Sequence, residues 1–217
     1  MITMLSCLLE VIMPGDYNHT HNLIINTAKN LFLNNNYESI SLREICKKSN
    51  ITTGGFYRHF NDKHDLYCCI VKPVVDSLCL TFKNANNYEL KVIESKNFDE
   101  IWSSDEKLFA EISNIIFSNY IEAKILINNS RGTDFENFIE TIAINQAQNA
   151  IVLLKKASSL GLKINKIDKD EIIILAISQV STIAKIFTSN IDKEIALKYA
   201  INSNKFFSAG WKALIFD

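Results

Sequence analysis

SLREICKKSNITTGGFYRHF, residues 41–60, is the stretch that decides the fold. Ser41 followed by Leu42-Arg43-Glu44 is a capping box: the serine hydroxyl accepts the backbone N–H of Glu44, and the glutamate carboxylate reaches back. It opens a helix to about Lys48, with Leu42, Ile45 and Cys46 facing inward. Ser49-Asn50-Ile51 then turns the chain, Asn50 being able to take the left-handed conformation. Thr52 caps a second short helix, Thr53 to His59. Two short helices joined by so brief a turn fit a helix-turn-helix.

Working outward, Ile24, Ala28, Leu31 and Phe32 recur at helical spacing and predict a helix from about Thr20 to Asn34. Asn35, Asn36 and Tyr37 end it, with Asn36 in the left-handed position that glycine usually fills. After the motif, Asn61 or Asp62 caps a fourth helix through Leu66, Ile70 and Val71, which Pro73 is expected to kink or end. Further helices are expected near 87–96, 99–127, 134–159, 169–189 and 193–214. Arg131-Gly132-Thr133 and Leu160-Gly161-Leu162 are the clearest breaks, and Asp168 and Asp192 resemble caps. With only 6 glycines and 2 prolines in 217 residues, long helices are favoured over a sandwich or barrel, so the fold class is all-α.

The net charge of −1 is unevenly spread. Residues 17–66 hold six Lys/Arg against four acids and all four histidines, whereas 67–217 balance 17 basic against 18 acidic residues. A slightly basic end hints at a polyanion partner, though a solvated surface gives similar counts. Cys7, Cys46, Cys68, Cys69 and Cys79 show no zinc spacing and no C-x-x-C. They read as reduced core thiols of a cytoplasmic protein, with a redox role for Cys68 and Cys69 as the competing reading. His19 and His21 lack a nearby carboxylate or thiolate and read as surface residues, so no metal and no cofactor is expected. The apolar start MITMLSCLLEVIM lacks a positive n-region and is too short to span a bilayer. It is taken as an extension, residues 1–16, that is disordered or even precedes a start at Met13. No membrane association is expected.

The motif has a chemical use. A short second helix can lie in the major groove with its N-terminal residues at base edges. Thr52-Thr53-Gly54-Gly55 are small enough for close approach to double-stranded DNA. Tyr57 and His59 can donate to phosphate oxygens, Arg58 can reach phosphate or guanine, and Lys63 is placed to clamp the backbone. The bland reading keeps Phe56 and Phe60 as core, Thr52 as a cap, and His59 packed against the first helix.

A longer pattern surrounds the motif: Ala28-x-x-Leu31-Phe32, then Asn36-Tyr37-x-x-Ile40-Ser41-Leu42-Arg43-x-Ile45, then Ile51-Thr52-x-Gly54-x-x-Tyr57-x-His59-Phe60-x-x-Lys63-x-x-Leu66. Together these resemble the N-terminal domain of the TetR (tetracycline repressor) family. The resemblance implies a three-helix DNA-binding head over 17–66, a linking fourth helix, and a C-terminal helical domain over 67–217 that dimerises and binds a small effector. It also puts Ser41 and Arg43 in the DNA-facing set. The sequence departs from the pattern at Cys46 and Ser49, where alanine is favoured, and at Asn36 and Asn50, where glycine is. The arm before the first helix offers only His19 and His21 where Arg or Lys is common. The C-terminal half matches more loosely, through Phe206-Phe207-Ser208-Ala209-Gly210-Trp211-Lys212, and effector residues do not transfer.

In that half, the helix at 169–189 is apolar on so many sides that it must be covered on more than one face. A second subunit is one cover, which nominates Ile173, Ile177, Val180 and Ala184, with Phe206 and Trp211 of the last helix, as a dimer interface. Deep burial in a monomer is the alternative. Trp102, Phe109, Phe117, Tyr120 and Phe138 are candidates for an apolar effector pocket, or plain core. The function expected is a regulator, usually a repressor in this family, released from a near-palindromic operator by its effector. No nucleophile elbow, P-loop, dinucleotide fingerprint or H-E-x-x-H occurs, so no enzyme is expected. A helical interaction module would lack the Thr52, Tyr57 and Lys63 set.

Overall fold

A computed structural model of the chain describes residues 13–96 and 99–216, with the side chains of 13–16 and 99–106 outside the description. Among these residues every regular element is helical, and no strand occurs. The elements are α1 (Met13–Asn34), a 3-10 turn (Tyr37–Ser39), α2 (Leu42–Lys48), α3 (Thr53–Phe56), α4 (Lys63–Glu94), α5 (Asp99–Ser118), α6 (Tyr120–Asn128), α7 (Phe138–Ser159), α8 (Lys169–Thr188) and α9 (Lys193–Ile215).

The N-terminal helices pack because each offers one apolar face to the same centre. Ile24, Ala28 and Phe32 of α1, Ile45 and Cys46 of α2, Phe56 of α3, Phe60, and Leu66, Ile70 and Val74 of α4 are buried in one cluster. Each large apolar side chain so buried contributes roughly 1.5–3 kcal/mol. Asn50, at φ 53°, makes the left-handed turn between α2 and α3. Asn36 does not: it is extended at φ −61°, ψ 145°. The end of α1 is closed instead by side-chain amides, Asn34 Nδ2 donating to Asn30 O (2.9 Å) and Asn35 Nδ2 to Leu31 O (3.1 Å).

Several helix boundaries differ from the sequence expectation for physical reasons. Helix α1 begins at Met13, not Thr20. Helix α4 runs unbroken through Pro73 to Glu94 and takes in part of the separate helix expected near 87–96. Pro73 and Cys69, whose carbonyl loses its i+4 donor, are both exposed, so the lost bond falls on the solvent side of the helix rather than in the core, and the helix continues. The helix expected over 99–127 is broken at Asn119 (φ −129°, ψ 45°), whose Nδ2 donates to Ile115 O at 2.9 Å.

The break lets α6 turn back onto α1 and α4. Lys29 of α1 is paired with Glu122 of α6. Beyond α6, Asn129 Nδ2 donates to Leu33 O (3.1 Å), Tyr37 N to Asn129 O (3.0 Å), and Arg131 Nε pairs with Glu38 (3.1 Å). Gly132 makes this approach possible: at φ +83° it adopts a conformation other residues resist, and a Cβ there would stand 3.0 Å from Glu38 Cβ. In the C-terminal half, α8 lies between α7 and α9. It is the one described helix long and apolar enough to cross a membrane, and its Ile172 and Ala176 are buried with Ala147 of α7.

Candidate nucleic-acid interface

Helix α3 is short, so its orientation depends on its cap and its buried back. Thr52 Oγ1 accepts the N–H of Gly55 at 3.0 Å, and a Cβ on Gly55 would press to 3.3 Å of that oxygen. The α-helix proper ends at Phe56, earlier than the His59 expected. Turn bonds carry the same path on, from His59 N to Phe56 O (2.9 Å) and Phe60 N to Phe56 O (3.1 Å). Phe56 and Phe60 are buried beneath. At the start of α2, Ser41 Oγ accepts from Glu44 N at 3.1 Å. The return bond from Ser41 N–H to the Glu44 carboxylate is not made, so only half of the capping box forms.

On this frame Thr52, Thr53 and Gly54 are exposed, Gly55 is half-buried, and Ser41, Arg43 and Arg58 are exposed. Tyr57 stands edge-on to Phe56 and is 57% exposed, its ring held at the base and its hydroxyl free. Lys47 and Lys48, not singled out from the sequence, are also exposed, on the last turn of α2. Their signal was the basic excess of the segment.

Two residues of the expected DNA-facing set are turned inward. Lys63 donates to the carbonyl oxygens of Tyr37 and Ile40, and burial lowers its pKa from the ordinary lysine value. His59 packs on α1, its ring 4.2 Å from that of Tyr17 and 5.6 Å from that of His21. His21, read from sequence as a surface residue, is half-buried and stacks on Phe60 at 4.7 Å. The Nδ1 atoms of both histidines are buried without a partner. Burial, then His21, then Arg58 lower the pKa of His59.

The C-terminal helices line a partly open cavity of about 330 Å³ between α4, α5, α7, α8 and α9. Of the expected pocket residues, Phe109 and Phe138 line it. Phe117 lies edge-on to Phe187 instead, at 5.2 Å, and Tyr120 Oη donates to Ser189 O at 3.0 Å. The side chain of Trp102 falls outside the described residues. Val180, Ala184 and Trp211, nominated for a dimer interface, also line the cavity. Ile173 and Ile177 are half-buried, and Phe206 alone of the six is fully outward. Periodicity could not separate these cases, because a cavity wall and a subunit contact both ask for apolar side chains. Cys46, Cys68, Cys69 and Cys79 are free thiols, but only Cys46 is buried as expected of a core thiol: Cys68 is half-buried, and Cys69 and Cys79 stand exposed on α4.

Residues 24–67 match the family model described as bacterial regulatory proteins, tetR family. The Transposon Tn10 TetC protein of Escherichia coli is 26% identical over 107 residues, which span 48% of this chain and 48% of that protein. The match thus extends over about half the length of that relative. Two solved structures share the fold at low identity. One, from Syntrophomonas wolfei and assigned to the TetR family of transcriptional regulators, has a TM-score of 0.54 at 16% identity and covers 88% of this chain and 96% of its own. The other, a TetR family transcriptional regulator from Chloroflexus aurantiacus, has a TM-score of 0.54 at 13% identity and covers 94% of each chain.

Proposed function

We propose, from the match of residues 24–67 to the tetR family of bacterial regulatory proteins, that this chain is a TetR-type, cytoplasmic, DNA-binding transcriptional regulator acting as a ligand-released repressor. Residues 17–66 form the DNA-binding head and 67–217 the effector-binding and dimerising domain. The observation that carries this is the presentation of α3. Its back, Phe56, is buried, its N-terminus is capped by Thr52, and Thr52, Thr53, Gly54, Tyr57 and Arg58 stand exposed around it. Small residues at the helix start suit base edges, and Tyr57, Arg58 and Arg43 suit phosphates.

Two such heads related by a two-fold axis would meet successive major grooves about 34 Å apart, which calls for a near-palindromic operator. An apolar effector in the cavity would favour one spacing of the heads and lower DNA affinity by its differential affinity for that state, no more. No catalytic role and no membrane association belong to this reading. Fluorescence anisotropy of the purified protein tests it, using DNA upstream of its own gene, a shuffled control and two salt concentrations. Tight, salt-sensitive preference for the upstream fragment is expected. Equal weak binding to both fragments counts against it.

A further inference from the structure

We propose that the cavity between α4, α5, α7, α8 and α9 takes an uncharged, largely apolar molecule bearing one hydrogen-bonding group, and rejects a carboxylate of the same shape. The inference rests on the ligand-controlled reading above and gives the ligand its chemistry. Most of the wall is aliphatic or aromatic, with Phe109, Phe138, Ile183 and Phe187 among it. Such a wall holds an apolar body but does not orient it.

Orientation comes from the few uncharged polar groups of the lining, Gln146 of α7 and a strip formed by Gln179, Asn204, Ser208 and Trp211. Trp211 Nε1 donates to Gln179 Oε1 at 2.7 Å. That bond fixes which end of the amide faces the indole and leaves the Gln179 NH₂ group to donate to a ligand. Asn204 and Ser208 line the same cavity from α9, on the face that carries Trp211. Neither side chain makes a hydrogen bond among the described residues. Amide and hydroxyl groups left open beside an apolar space recognise an alcohol, ketone, ester or amide. Each can supply the complementary donor or acceptor without bringing a charge.

The charge argument is independent. No Lys, Arg or His lines the cavity among the described residues. The one charged lining residue, Glu89, is acidic and already engaged within the protein. A bound carboxylate would lie beside apolar walls with no cation, an arrangement that buried charge does not tolerate.

Titration calorimetry of the full chain with decanol, decanoate and decylammonium, at a pH well above the carboxylate range, separates the outcomes. Decanol should bind about tenfold or more tighter than either charged probe. Gln179→Leu and Asn204→Leu should each weaken decanol by about fivefold with circular dichroism unchanged. Decanoate binding as tightly as decanol would overturn the proposal and leave a ligand-controlled regulator standing. Failure of all three probes to bind would overturn both.

Discussion

The Nζ of Lys63 lies 3.8 Å above the ring of Tyr37 and donates to that residue's carbonyl oxygen at 2.8 Å, with a second bond to Ile40 O at 2.7 Å. The first residue of α4 thereby closes the 3-10 turn between α1 and α2. The lysine belongs to the fold of the head, and Arg58 and Arg43 are left as the exposed guanidinium groups near α3. Lys63→Met removes two bonds to a charged donor and should lower stability by about 2–3 kcal/mol, a Tm loss of roughly 5–10 °C. The slope of log affinity for DNA against log salt should stay unchanged. Arg58→Ala should do the reverse, leaving Tm in place and reducing that slope by about 0.9, the share of a single phosphate. A slope that falls in Lys63→Met would put its ammonium on the phosphate backbone after all.

Tyr57 and Thr53 should part in their effects. The phenol hydroxyl of Tyr57 stands in solvent, which suits a phosphate contact. Tyr57→Phe keeps the edge-on packing with Phe56 and removes only that hydroxyl, so affinity should fall about fivefold for every sequence. Thr53 is exposed in the first turn of α3. Thr53→Ala should change which operator bases are preferred while binding to random DNA stays constant. Competition anisotropy with operator and random duplexes measures both. Parent-like behaviour of both variants would move the recognition surface away from α3.

How much of this was legible beforehand depends on whether the signal was local. The Asn50 turn and the Ser41, Thr52, Asp62, Asp168 and Asp192 caps are local chemistry, and each forms. Asn36 failed because a second local solution, the amides of Asn34 and Asn35, closed α1 first. The break at Asn119 is nearly silent, since apolar residues run on both sides of it and one asparagine does not stop a helix by propensity alone. The inward turn of Lys63 and His59 is tertiary: it depends on carbonyls and rings that come from Tyr37, Ile40, Tyr17 and His21. The same holds for the cavity, where Trp211 and Gln179 meet across 32 positions of sequence.

The His59 imidazole gives the head a pH dependence with a definite sign. Burial against α1 lowers its pKa in the folded state, and His21 and Arg58 push the same way. Above about pH 6.5 the ring is neutral both folded and unfolded, and its packing contributes in full. As pH falls below that value the unfolded chain takes up the proton and the folded head resists, so stability is lost until the folded ring titrates as well. Thermal melts between about pH 7.5 and 5.5 should show Tm falling, and His59→Phe, which keeps an aromatic ring against Tyr17, should flatten that fall. An equal slope in parent and variant would assign the effect to other groups.

The outer face of α9 makes the strongest case for a partner copy. Ile195, Tyr199 and Phe206 are spaced by four and seven residues, so they share one stripe, and they are 45%, 51% and 74% exposed. Ile174 on α8 is 63% exposed and adds to the apolar surface. A helical face of this composition left to water is an interface signature, and large aromatics at such centres commonly cost about 2 kcal/mol or more on truncation, roughly thirtyfold in affinity. The Phe206 ring leans on its neighbour Phe207 and is otherwise turned to solvent, so charge placed there should leave the fold intact. Phe206→Glu is therefore expected to shift sedimentation from dimer to monomer at micromolar concentration, with unchanged helicity by circular dichroism. Binding to a two-half-site operator should collapse in parallel, while weak binding to a single half-site persists, since each head is untouched. A Phe206→Glu protein that still sediments as a dimer would place the two-fold contact on another surface.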